Sequence, residues 1–163
     1  MLLRCKANEG SALGPTRVGE RWHRGTEVLE ELVVGELYRA NAMILYNTTF
    51  FVVVVNRFGK PSSASLGYFE VVDPAIPAGW EFAAFDEGPG VPLEVGLTRD
   101  LASDGLPSQL CGLQGIWGYH EIVHSRSHFE GLINQDPAEL AVFFAERDRL
   151  DHESSGRSRL AGG

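Results

Sequence analysis

The hydrophobic pattern is densest at Thr49-Phe50-Phe51-Val52-Val53-Val54-Val55, where every residue is β-branched or aromatic and none after Thr49 is polar. A half-buried strand alternates apolar and polar positions, so an unbroken run of this length predicts a strand covered on both faces. Before it, Tyr38, Ala40, Ala42, Ile44 and Tyr46 fall on one face of a second strand, with Arg39 and Asn41 on the other. Asn47-Thr48 supplies a hairpin turn between the two runs. After the apolar run, Asn56 to Pro61 breaks the strand and Tyr68 to Val72 brings the chain back, giving a three-stranded antiparallel meander. Leu2 to Ala7 predicts a first strand, Trp80, Phe82 and Ala84 alternate along another, and Pro92 to Leu97 reads as a closing or edge strand. Short strands at this spacing predict a small antiparallel β-barrel or a strongly curled sheet over residues 1–97.

Past Asp100 the β-branched runs stop and helical signals take over. Pro107 to Cys111 predicts a short helix before the breaks at Gly112 and Gly115, Gly118 to His124 another, and Ser125 or Ser127 caps a third that runs to about Ile133. Asp136 as cap, Pro137 at the first helical position and Glu139 close behind predict the start of the last helix, with Leu140, Phe143, Phe144 and Arg147 on one side of it. The expected architecture is α+β, with the N-terminal β-barrel or curled sheet followed by C-terminal helices. It forms a single domain over residues 1–151, helical from 105 to 151, with 152–163 a polar, flexible tail.

Composition narrows the function classes. The chain has 163 residues, 44% hydrophobic, which suits one domain with a substantial core. It has no apolar run near the ~20 residues that a membrane span needs, and Met1 to Lys6 lacks the apolar segment of a signal peptide. A cytoplasmic protein is therefore expected, with Cys5 and Cys111 as free thiols. A net charge of −8 disfavours nucleic acid and favours a protein partner with a basic surface. Glu27, Glu30 and Glu31 beside the aromatic Trp22 combine clustered carboxylates with an anchor, and they are the expected contact region. Tyr38, Tyr46, Phe50, Phe51 and Trp80 could line a groove for a small molecule at the barrel mouth, although core packing is the commoner fate of such residues.

One short motif speaks to chemistry. His120-Glu121-Ile122-Val123-His124 resembles the His-Glu-x-x-His pattern of the zincin metallopeptidases. On a helix, His120 and His124 lie one turn apart on one face and can share a zinc ion, and Glu121 can deprotonate zinc-bound water. His128 would stand ~12 Å of rise from His120 on a continuous helix, too far to join them unless the helix breaks at Ser125 to Ser127. Glu139 or Glu146 is then the expected third ligand. Without metal, the same segment reads as a surface helix with Ile122 and Val123 packed on the sheet.

The plan as a whole resembles small uncharacterised bacterial proteins, some of them immunity-type proteins of toxin systems. The likeness is carried by Gly35 to Tyr38, Phe51 to Val55, Phe69 to Asp73, Pro77 to Trp80 and the Asp136-Pro137 helix. It implies a non-enzymatic module that binds or inhibits another macromolecule, with no cofactor, and it carries over no binding residue. A zinc-dependent hydrolase and a small-molecule binder are the alternatives.

Overall fold

The computed structural model describes residues 1–13, 28–46, 49–84 and 113–160. Their backbone forms two antiparallel sheets and three C-terminal helices. The strands are β1 (Leu2–Cys5), β2 (Leu37–Arg39), β3 (Ala42–Tyr46), β4 (Thr49–Val55), β5 (Pro61–Ser65), β6 (Phe69–Asp73), β7 (Glu81–Ala84) and β8 (Leu113–Gly118). The helices are α1 (His120–His124), α2 (Arg126–Ile133) and α3 (Pro137–Leu160). One sheet has the order β2-β1-β6 and the other β5-β4-β3-β8-β7, and among the described residues they do not close into a barrel.

β4 is covered on both faces, as its unbroken apolar run requires. Phe51 and Val53 point into a core shared with Ile116, Ile122, Phe129 and Phe143, beneath the helices. Val52 and Val54 point the other way, into a second core with Leu3, Tyr38, Tyr68 and Phe69 of the small-sheet side. β3 and β4 pair as the expected hairpin, with Ile44 opposite Phe51 and Tyr46 opposite Thr49; its turn residues, Asn47 and Thr48, lie outside the described residues.

The rest of the expected meander is rearranged. The strand read from Tyr38 to Tyr46 is divided at Asn41, which is buried, and its two halves belong to different sheets. Tyr38 and Ala40 enter one core and Ala42, Ile44 and Tyr46 the other. Asn41 makes that passage possible by donating its backbone N–H to the Val53 carbonyl and its side-chain amide to the Arg39 carbonyl. The neighbour of β4 on its second side is β5, a serine-rich strand without apolar signal, whereas Phe69 to Asp73 pairs with β1. The turn into β5 is held by Asn56, whose Oδ1 accepts from the N–H groups of Phe58 and Lys60, and by Gly59 at φ +73°.

The largest departure lies at Leu113–Gly118, expected to be glycine breaks between helices and found as a strand between β3 and β7. Its glycines mark close approach. A Cβ at Gly115 would stand 2.8 Å from the Phe82 ring, and one at Gly118 would stand 2.5 Å from Ile122 Cγ2 and 3.1 Å from Ala42 Cβ. Gly118→Ala is accordingly expected to cost about 1–3 kcal/mol by overpacking, read as a lower urea midpoint at unchanged slope.

The helix caps follow the sequence. Ser125 Oγ accepts the His128 N–H at the start of α2, and Asp136 Oδ1 accepts the Ala138 N–H at the start of α3. The backbone of α3 runs to Leu160, past the boundary expected near residue 151. No helix among the described residues is long and apolar enough to cross a membrane. Cys5 is a buried free thiol, its titration pushed up by burial. Cys111, the expected strand at 92–97 and the expected helix at 107–111 lie outside the described residues.

Candidate metal centre

α1 begins two residues beyond the end of β8. Its Ile122 and Val123 are buried against the helix-covered core. A five-residue helix anchored by those two side chains turns His120 and His124 outward, one turn apart, with ring centroids 4.8 Å from each other. The strand register supplies the third group. Glu81 of β7 lies opposite Gly118, the last residue of β8, so it stands beside the strand-to-helix junction.

One Glu81 oxygen lies 3.1 Å from His120 Nδ1 and the other 2.7 Å from His124 Nε2. The two imidazoles hold the Glu81 carboxyl below the usual carboxylate range, His120 contributing most. All three side chains are exposed, and their ligand atoms lie within 4.8 Å of one another. Ligand bonds of 2.0–2.1 Å around a tetrahedral zinc ion place neighbouring donor atoms about 3.3 Å apart. Seating an ion would open the 2.7 Å and 3.1 Å contacts slightly and draw the most distant ligand atoms, up to 4.8 Å apart, together by side-chain rotation. A zinc ion held by two imidazoles and one carboxylate would keep a coordination position for water or substrate.

The expected third ligands are engaged elsewhere. Glu139 meets His128 Nδ1, and Glu146 accepts from Arg149 at 2.9 Å. His128 is not a ligand either, although the helix does break at Ser125 as that role would require. It turns inward instead, 2% exposed, and its Nε2 lies 2.6 Å from the Tyr119 hydroxyl. A carboxylate only accepts, so His128 Nδ1 carries the proton that faces Glu139, and in the neutral ring Nε2 accepts from the Tyr119 hydroxyl, whose titration burial pushes far up. The His128 Nδ1–H then donates to Glu139. This Tyr119–His128–Glu139 chain ties the residue before α1 to both α2 and α3, and it fixes the backbone from which His120 projects.

Glu121 sits half-buried in the first turn of α1, and its carbonyl accepts the Ser125 N–H. Of the expected partner-contact residues, Glu30 is exposed and lies 3.9 Å from Arg57, and the Glu31 carbonyl accepts the Arg57 N–H. Trp22 and Glu27 are outside the described residues. Tyr38, Tyr46 and Phe51 are core residues and Trp80 packs against the second core, whereas Phe50 is exposed. Tyr38 and Trp80 thus belong to one core, and Tyr46 and Phe51 to the other. Comparison of the chain with family models, curated proteins and solved structures finds no match.

The short motif alone could show the two histidines. Glu81 carries no motif of its own. The alternation of Trp80, Phe82 and Ala84 does put Glu81 on the opposite face of its strand, but only the pairing of β7 with β8 brings that face to α1.

Proposed function

We propose that this protein binds one divalent transition-metal ion, of the zinc type, through Glu81, His120 and His124, and that the site is hydrolytic. The observation that carries the reading is one carboxylate in contact with both imidazoles, from a strand remote in sequence. Glu81, His120 and His124 would hold the ion, which would supply Lewis acidity toward a water molecule, and Glu121, next to His120, would serve as the base that takes a proton from that water. In hydrolysis of an ester or amide, Glu121 would then return that proton to the leaving group as the carbon–heteroatom bond breaks. The test is metal content after purification without an affinity tag. One zinc per chain is expected, with Glu121→Gln retaining the metal and losing at least about a hundredfold in ester hydrolysis. Protein devoid of metal under those conditions, and unable to take up zinc, overturns the proposal.

A second reading, a non-enzymatic immunity-type module that binds a basic partner, is favoured by a different surface. Phe82 is 50% exposed and stacks on Trp117 at 4.3 Å, with exposed Phe50 on the other side of the indole. Exposed aromatics on one sheet face beside an acidic chain suit a protein contact. That reading needs no metal, so zinc content separates the two.

A further inference from the structure

In a chain of net charge −8, three arginines from separate elements converge on one cleft of about 230 Å³. Arg39 comes from β2, Arg57 from the β4–β5 turn and Arg147 from α3, with Glu36 and Asp151 the carboxylates on the same walls. By strand register the cleft lies at the end of the large sheet where β3 begins and β4 ends, as does Glu81, with β3 and β8 between the two places.

Arg39 is committed to Asp151 by an ion pair. The other two guanidiniums are held in place but not saturated. Arg57 stacks on Phe58 at 4.7 Å, and its ion pair to Glu30, at 3.9 Å, is too long for a hydrogen bond. Arg147 stacks on Phe144 at 4.8 Å and spends two nitrogens on a single oxygen of Asp148, a residue off the cleft wall. Stacking fixes the planes of these groups and leaves N–H edges for an anion. Asn41, also on the wall, is 2% exposed, and its side-chain oxygen is buried without a donor among the described residues. An acceptor left in that state favours a ligand that brings an O–H or N–H.

The geometry points to a binding site for a small phosphate monoester with a neighbouring hydroxyl. Its phosphate lies between Arg57 and Arg147, and its hydroxyl reaches Asn41. A tetrahedral dianion offers different oxygens to guanidiniums approaching from two elements, which a planar carboxylate does less well. The cleft is too small for a nucleotide-sized molecule, since drug-sized ligands occupy roughly 300–1,000 Å³. The site is independent of the metal reading.

Glycerol 3-phosphate titrated into metal-free protein, followed by amide chemical shifts, tests it; chelator in the buffer keeps the Glu81 cluster out of the readout. Saturable shifts at Arg39, Asn41, Arg57 and Arg147 are expected, with inorganic phosphate binding more weakly. Arg57→Ala and Arg147→Ala each weaken binding at least about tenfold. Both side chains are partly exposed, so these variants melt like the wild type. Asn41→Ala brings glycerol 3-phosphate down to the level of inorganic phosphate. If that variant is too unstable to titrate, the arginine variants decide alone. Non-saturating shifts, or binding unchanged in both arginine variants, would overturn the proposal. A preference for glycolate over glycerol 3-phosphate would overturn the choice of a phosphate ligand.

Discussion

Val53→Asp is expected to leave the chain without a cooperative folded state at 25 °C. Val53 is 6% exposed, in the middle of a strand paired with Ala42 on one side and Ser63 on the other. Its side chain enters the core that also holds Phe51, Ile116 and Phe143. Losing a buried valine removes about 1.5–3 kcal/mol, and an unpaired carboxylate in the same place costs several kcal/mol more. A domain of ordinary stability has about 5–15 kcal/mol in all. Val71→Asp provides the contrast: Val71 is 44% exposed on β6, and its replacement is expected to stay within about 0.5–1 kcal/mol of wild type. Far-ultraviolet dichroism and thermal melting of the two variants measure the difference. A cooperative melt of Val53→Asp close to that of the wild type would show that β4 is not the centre of the fold.

The second large effect belongs to His128. His128→Ala deletes the ring that joins Tyr119 to Glu139, leaving a buried hydroxyl without an acceptor and a cavity between α2 and α3. Leaving the buried Tyr119 hydroxyl without its partner costs about 1–3 kcal/mol. For a chain of this size that lowers the melting temperature by about 2–12 °C. Tyr119→Phe combined with His128→Ala is expected to cost less than the sum of the two, because the second change removes a group already without its partner. Additive losses, or a melting temperature unmoved by His128→Ala, would mean that the chain of three is not coupled. The same variant disturbs the base from which His120 projects, so metal affinity is expected to fall with stability.

Much of this architecture is legible in the sequence, and its gaps have physical causes. The double coverage of β4 follows from a run with no polar face, and the caps at Ser125 and Asp136 follow from local hydrogen-bond chemistry that needs no tertiary context. The split at Asn41 was hidden because Tyr38 to Tyr46 keep one alternation while their side chains enter two cores. β5 was hidden because Ser62 and Ser63 give a strand no apolar signal; it exists by pairing with β4. β8 was hidden because Gly115 and Gly118 look the same in sequence whether they break a helix or admit a neighbouring side chain. Helical spacing revealed His120 and His124. Glu81 became visible only with the register of β7 against β8, as did the gathering of Arg39, Arg57 and Arg147 with the packing of α3 beside β2.

The central claim is that Glu81, His120 and His124 together hold a metal ion, and calorimetric titration of metal-free protein with zinc tests it most directly. Wild-type protein is expected to bind one zinc ion. Glu81→Ala, His120→Ala and His124→Ala are each expected to weaken that binding by at least about a hundredfold, as loss of one ligand in three requires. Glu146→Ala, which removes a carboxylate paired with Arg149, is expected to leave it unchanged. Zinc binding that survives Glu81→Ala at wild-type affinity, or no binding by the wild type, would contradict the account.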